Sequence, residues 1–253
     1  MSSVSAVGNS IQSNYQSLAS GRKINSAADN ASGLAIAEKQ ESQIRTLNQG
    51  EENAKESKNL FEVSDSALST LTDYVHRVKE LAIQSINGLS SKSDKQAIQG
   101  EIDQLKQGIN EVAKNTQFNE RKLLDGSDPN MTTVTGAGAA STATLPTMTL
   151  EALGLEDFDV TGEFDMDVLD QALEKISSAR SNLGAQVNGL DYAQLYDQEA
   201  SINLTDASNK ITMEDYAEGS SELKKNTMLQ DAQFIMQKQQ MEDQEEKMKN
   251  FFI

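Results

Sequence analysis

The 253-residue chain has no cysteine, no tryptophan and a single histidine, His76. These absences exclude a disulfide framework, a thiolate zinc site, a cysteine nucleophile and any metal site built on a second imidazole. His76 lies between Val75 and Arg77 with no Glu-x-x-His partner, so a zincin site is excluded and the ring is expected at the surface. Aromatic residues make up only 5% of the chain, so the core is expected to be aliphatic. No apolar run approaches the roughly 18 residues of a membrane span. Met1–Ser20 carries neither a positive charge nor a continuous apolar stretch, so no cleavable secretory signal is expected. Basic residues are also few: 22 Lys and Arg stand against 39 Asp and Glu, a formal charge of −17. That balance disfavours nucleic acid and anionic membranes as partners. The scattered glycines form no phosphate-binding loop, and acidic pairs such as Asp165 and Asp167 lack the glycine of a calcium loop. No catalytic, cofactor-binding or metal-binding residue is assigned, and the chain is not expected to be an enzyme.

Proline is nearly absent, and both prolines, Pro129 and Pro146, fall in one stretch rich in Thr, Ala and Gly. Two long proline-free arms flank it, and both carry a helical apolar period. In the first, Leu47, Ala54, Phe61, Leu68, Val75 and Ala82 recur every seven residues, with Leu71 and Val78 between them. A helix from about Ile36 to Ile86 would span roughly 75 Å. Asn87-Gly88 with Ser90, Ser91 and Ser93 supplies a turn and an N-cap region, followed by Ile98, Ile102, Leu105, Ile109 and Val112 at 4,3,4,3 spacing. Beyond the insert, Leu169, Ile176, Leu183 and Leu190 repeat at seven and continue through Leu204 to Ile211, with Ala193, Ala200 and Ala207 beside them. Gly184 and Gly189 interrupt that helix at about 1 kcal/mol each relative to Ala.

The fold class expected is mainly α: a long antiparallel helical rod, a coiled-coil-like bundle of N- and C-terminal arms with a small β-containing insert. The seam is assigned to Leu68, Leu71, Val75, Val78, Leu169, Ile176 and Leu183. The insert, 127–165, is expected to project at the far end, with short strands at 131–134, 147–150 and 157–160. Phe234, Met241 and Met248, seven apart, give the last 28 residues one weak apolar stripe, enough for a terminal helix that needs a partner surface.

Several ordered blocks resemble the bacterial flagellins. Ala19-Ser-Gly-Arg-Lys-Ile-Asn-Ser-Ala-Ala-Asp29, Ala31-Ser-Gly-Leu-Ala-Ile-Ala-Glu-Lys39 and Ser42-Gln-Ile-Arg-Thr-Leu-Asn-Gln49 are similar to that family's N-terminal region. His76-Arg-Val-Lys-Glu-Leu-Ala-Ile-Gln84, Glu101-Ile-Asp-Gln-Leu105 and Lys122-Leu-Leu-Asp-Gly126 continue it. Ser177-Ser-Ala-Arg180, Leu183-Gly-Ala185, Asn203-Leu204, Met213-Glu-Asp-Tyr-Ala217 and Leu229-Gln230 follow in the family's C-terminal order.

The resemblance implies a structural subunit that self-assembles into the helical filament of the flagellum, extracellular and exported without a cleavable signal peptide. It implies terminal helices at 1–25 and 215–253 forming the inner filament core, and a helical rod domain of 26–126 and 166–214. The implied partners are further copies of the chain, the flagellar export chaperone and export apparatus, and the hook-associated and cap proteins. The flagellin-sensing Toll-like receptor of animals joins them, with Arg77, Leu81 and Glu101 at positions matching the family's contact residues. Two departures qualify the match: a short segment before Ala19, and the charged run Met241-Glu-Asp-Gln-Glu-Glu-Lys-Met-Lys249 where the family usually ends in an apolar stretch. They keep a minor or specialised flagellin, a hook-filament junction protein and a secreted, non-polymerising helical ligand or adhesin as alternatives.

Overall fold

The computed structural model describes residues 2–88, 91–136, 138 and 140–251. Met1, Leu89, Ser90, Ala137, Ala139, Phe252 and Ile253 lie outside the described residues. The chain is mainly helical and divides into two compact units, one of residues 1–44 with 201–253 and the other of residues 45–200.

In the first unit, helix α1 (Ser2–Ser20) packs against α6 (Tyr216–Phe251), with Leu18 beside Gly219 and Gly8 beside Gln230, so the two run antiparallel. The Ala19–Asp29 block that resembles the flagellins is a pinned turn. Gly21 takes a positive φ of 68°, the Lys23 amide donates to Thr212 O at 2.9 Å, and the Glu214 amide donates to Gly21 O at 3.0 Å. These bonds stitch the two arms together. Asp29 then accepts the amides of Asn25 and Ser26 at 3.0 and 2.8 Å, which hold its carboxyl below the usual range. Because that pKa is depressed, the contribution of these bonds is complete above the unfolded value near 3.8 and is lost as pH falls through the folded value. Helix α2 (Ala27–Ile86) has Asn30 outside the helical region, where its side chain caps the Gly33 amide at 2.8 Å.

The second unit is built on the seam of α2. Leu68, Leu71, Val75 and Val78 are fully buried, as are Ala54, Phe61 and Ala82 on the row of Leu68 and Val75, and Leu47 on that row is buried too. Helix α3 (Lys92–Asn115) starts at a reciprocal cap: Ser91 Oγ accepts from the Asp94 amide and Asp94 Oδ2 accepts from the Ser91 amide. It lays Ile98, Ile102 and Ile109 into the same core. After the four-residue α4 (Leu150–Leu153), helix α5 (Asp167–Thr212) adds Leu169, Ala172, Ile176, Ala179, Leu183 and Leu190. Gly184 and Gly189 face open space, with nothing within 4 Å of a Cβ at either position, so no contact within the chain requires them.

The middle segment corrects two expectations. Two small antiparallel pairs are present: β1 (Gln117–Phe118) with β2 (Arg121–Lys122), and β3 (Asn130–Val134) with β4 (Ala140–Thr144). Of the three expected strands only 131–134 is one. Its partner is 140–144, while 147–150 leads into the Thr149-capped α4 and 157–160 is irregular. Nor does the segment project as a separate insert of 127–165. Met131, Ala143, Leu145, Met148, Leu153, Leu155, Phe158 and Val160 are all buried in the core of the second unit. The hairpin lies along α2: Ser57 Oγ meets Thr133 Oγ1 at 2.7 Å, and Asn53 Nδ2 donates to Val134 O at 2.9 Å. Scattered apolar residues gave no period to read, and they bury because the helices offer them one continuous wall.

Candidate functional site

The sequence directs attention to two surfaces. On the first, Arg77 of α2 reaches α3: Nε and Nη2 both donate to Glu101 Oε1, at 3.1 and 2.8 Å, and Nη1 donates to Glu80 Oε2 at 3.1 Å. The contact with Glu101, and secondarily that with Glu80, raises the guanidinium pKa above its ordinary value and keeps it charged at any physiological pH. Arg77 and Glu101 are half exposed. Leu81 does not share that surface. It is 2% exposed and belongs to the core, although it stands one turn beyond Arg77 on nearly the same face: it sits at the edge of the buried arc formed by Val78 and Ala82, and that edge is covered. Of the three residues matched to the family's receptor contacts, Arg77 and Glu101 form an exposed ion-pair cluster with Glu80, and Leu81 packs in the core.

The second surface is α6. Its less exposed row, Gly219, Leu223, Asn226, Gln230, Gln233 and Gln237, repeats at 4,3,4,3,4 on the side of α1. Only Leu223 on that row is a large apolar residue, and Asn14 Nδ2 and Gln233 Oε1 are buried without a hydrogen-bond partner. Away from α1, Met228 and Ile235 stand opposite that row and Leu229 and Met236 on its flank, all exposed. Helix α6 thus meets α1 through four amides together with Gly219 and Leu223, and leaves most of its large apolar side chains uncovered. Phe234, Met241 and Met248, the stripe visible in sequence, are exposed as well; the register of α1 against α6 places the two methionines beyond the first residue of α1.

One structural residue escaped the sequence reading. Asp197 is 1% exposed in α5, and its Oδ2 accepts the Gly136 amide at 2.8 Å, tying down the tip of the hairpin. Gly50 of α2 permits the approach, since a Cβ there would stand 1.8 Å from Gly136 N. The signal was available: 197 is the seam position between Leu190 and Leu204, and a carboxylate at a seam position calls for a buried donor. Gly50→Ala is expected to displace the hairpin tip, because the clash is with backbone, at about 1–3 kcal/mol. Urea denaturation with amide exchange at Gly136 checks this, and unchanged protection there would contradict it.

Among the described residues no group of three His, Cys, Asp or Glu side chains comes together to hold a metal, and no helix is long and apolar enough to cross a membrane. A groove of about 850 Å³ between residues 144–148 and α5 holds Lys175, but its ammonium donates to Ala152 O.

Comparison with known proteins agrees with the ordered blocks. Residues 1–128 match the family model described as the bacterial flagellin N-terminal helical region, and residues 166–245 match the bacterial flagellin C-terminal helical region. The flagellar filament 33 kDa core protein of Treponema phagedenis is 37% identical over 87% of this chain and 85% of its own length. Flagellin of Bacillus subtilis is 32% identical over 89% and 87%. Among solved structures, Bacillus cereus flagellin superposes with a TM-score of 0.52 at 25% identity, covering 58% of this chain and 88% of that one. A Vibrio parahaemolyticus chain assigned to the flagellar hook-associated proteins gives 0.63 over 73% and 100%, at 12% identity, a likeness of fold alone.

Proposed function

Since the chain belongs to the bacterial flagellin family, we propose that it is the structural subunit of a bacterial flagellar filament, polymerising with copies of itself into a helical tube that serves motility. The single observation that carries this reading beyond membership is the uncovered apolar side of α6, which a lone subunit leaves in water and a polymer can bury. Purified protein, seeded with filament fragments in moderate salt, is expected to elongate into tubes visible by electron microscopy. Salt should accelerate this, since each subunit carries −17 and about 10 Å of screening at 0.1 M weakens the repulsion. A chain that stays monomeric with seeds across all salt concentrations would sink the reading. The hook-associated alternative has only the 12% likeness behind it.

In the finer reading, the subunit leaves the cell unfolded through the flagellar export apparatus, without a cleavable leader, escorted by an export chaperone. It adds to the filament beneath cap and hook-associated proteins. The family resemblance supports this, as does a chain without cysteine that has no disulfide to make or break on the way.

A shed subunit would also meet the flagellin-sensing Toll-like receptor, through Arg77, Glu80 and Glu101 rather than through Leu81. Half-exposed charges in a fixed cluster are a specific surface for an oppositely patterned partner. Arg77→Ala is expected to weaken receptor binding by monomer at least tenfold, as loss of a charged anchor does. Equal binding of both proteins in a surface-plasmon titration would remove the patch from the contact.

A further inference from the structure

With no cysteine, all the sulfur of this chain is in its nine methionines, and the fold sorts the eight that lie among the described residues. Met131 and Met148 are each 5% exposed in the core of the second unit, and Met166 is partly buried against the same core. Met213, Met228, Met236, Met241 and Met248 are 56%, 68%, 59%, 65% and 60% exposed, and all belong to the first unit. Met228 and Met236 stand with Leu229 and Ile235 on the side of α6 that α1 leaves uncovered. Met241 and Met248 instead stand among Glu242, Asp243, Glu245 and Glu246.

We propose that Met228 and Met236 are oxidation sites through which a peroxide withdraws the free subunit from assembly. This rests on the subunit reading above. In the step itself, a lone pair on the thioether sulfur attacks one oxygen of hydrogen peroxide. The S–O bond forms as the O–O bond breaks, and the departing hydroxide takes a proton and leaves as water. Sulfur is oxidised by two electrons to the sulfoxide, and the peroxide is reduced. The product is a strong dipole where the unmodified side chain was soft and apolar. On the uncovered side of α6 that dipole must lose its water when a neighbouring copy packs there, which opposes burial. At Met241 and Met248 the surroundings are already charged, so the added oxygen changes little. The buried Met131 and Met148 are shielded, so the second unit stays folded while the first loses its assembly surface.

The test uses the full-length monomer. It is treated with hydrogen peroxide, the sulfoxides are mapped by peptide mass spectrometry, and the critical concentration for seeded polymerisation is read by sedimentation. Oxidation at Met228 and Met236 is expected to raise the critical concentration at least tenfold. Methionine sulfoxide reductases with dithiothreitol should restore it, and the M228L/M236L double variant should polymerise equally with and without peroxide. Full oxidation at both sulfurs with unchanged sedimentation overturns the proposal, and so does equal inhibition of the double variant. If the double variant does not polymerise at all, partial oxidation decides: inhibition that tracks the sulfoxide mapped at Met228 and Met236 supports the proposal, and inhibition that tracks Met213, Met241 or Met248 instead overturns it. Untreated wild type that never polymerises overturns the subunit reading, and this inference with it.

Discussion

Replacing Ile235 with glutamate is expected to stop filament growth at concentrations where the wild-type chain polymerises, while leaving the free subunit folded. Ile235 is 61% exposed, so the substitution removes little from the isolated fold and should change its stability by no more than about 0.5 kcal/mol. In the polymer two terms act together. Burying an isoleucine that was in water contributes about 1.5–3 kcal/mol, and the variant forfeits that. A carboxylate in its place must shed its hydration without a partner, at a further several kcal/mol. At roughly 1.4 kcal/mol per decade, the critical concentration should rise by at least about a hundredfold. Circular dichroism should be unchanged, and sedimentation should find the protein in the supernatant. Polymerisation at the wild-type critical concentration would mean that this side of α6 is not the assembly surface.

The second large effect falls on the other unit. Phe61→Ala is expected to cost about 3–5 kcal/mol, because Phe61 is 1% exposed at the heart of the α2 seam and the surrounding side chains cannot collapse fully into the space left. Against a total stability of about 5–15 kcal/mol for a typical domain, that brings the second unit close to unfolding at ordinary temperature. In urea the midpoint should fall with the slope unchanged. A loss below about 1 kcal/mol would mean that the aromatic ring is not packed as described.

What could be read in advance and what could not follows a physical division. The seam was legible because helical burial is periodic, and Leu68, Leu71, Val75 and Val78 announce themselves at fixed spacing. The hairpin partner was not. Ala140–Thr144 has a single deeply buried side chain, Ala143, and its place is set by backbone pairing with 130–134, which leaves no local pattern. Leu81, four residues after Arg77, reads from sequence as sharing its face, and its burial at the edge of the seam depends on covering elements that leave no local pattern. In α6 the apolar stripe correctly gave a helix, yet the stripe is not what meets α1. A seam of asparagine and glutamine has no hydrophobic signature, and only the structure reveals that the amides face inward.

Ion pairs among the described residues join α2 to α5, including Lys58 with Asp191, Asp65 with Arg180, and Lys79 with Asp170. Each is partly exposed and adds little to stability. Their value is as graduations on a ruler. The seams of α2 and α5 both repeat every seven residues, so apolar burial scarcely distinguishes the native alignment from one slipped by a heptad. Sliding one helix that far in one direction sets Asp65 against Asp191 and Lys79 against Ser177, and in the other sets Lys58 against Gly184. The charges reject what the seam would accept. A slipped subunit would have its helices offset by about 10 Å. In a tube made of many copies such an error is not averaged away but becomes a lattice fault, so these modest surface charges bear on the dimensional uniformity of the whole filament.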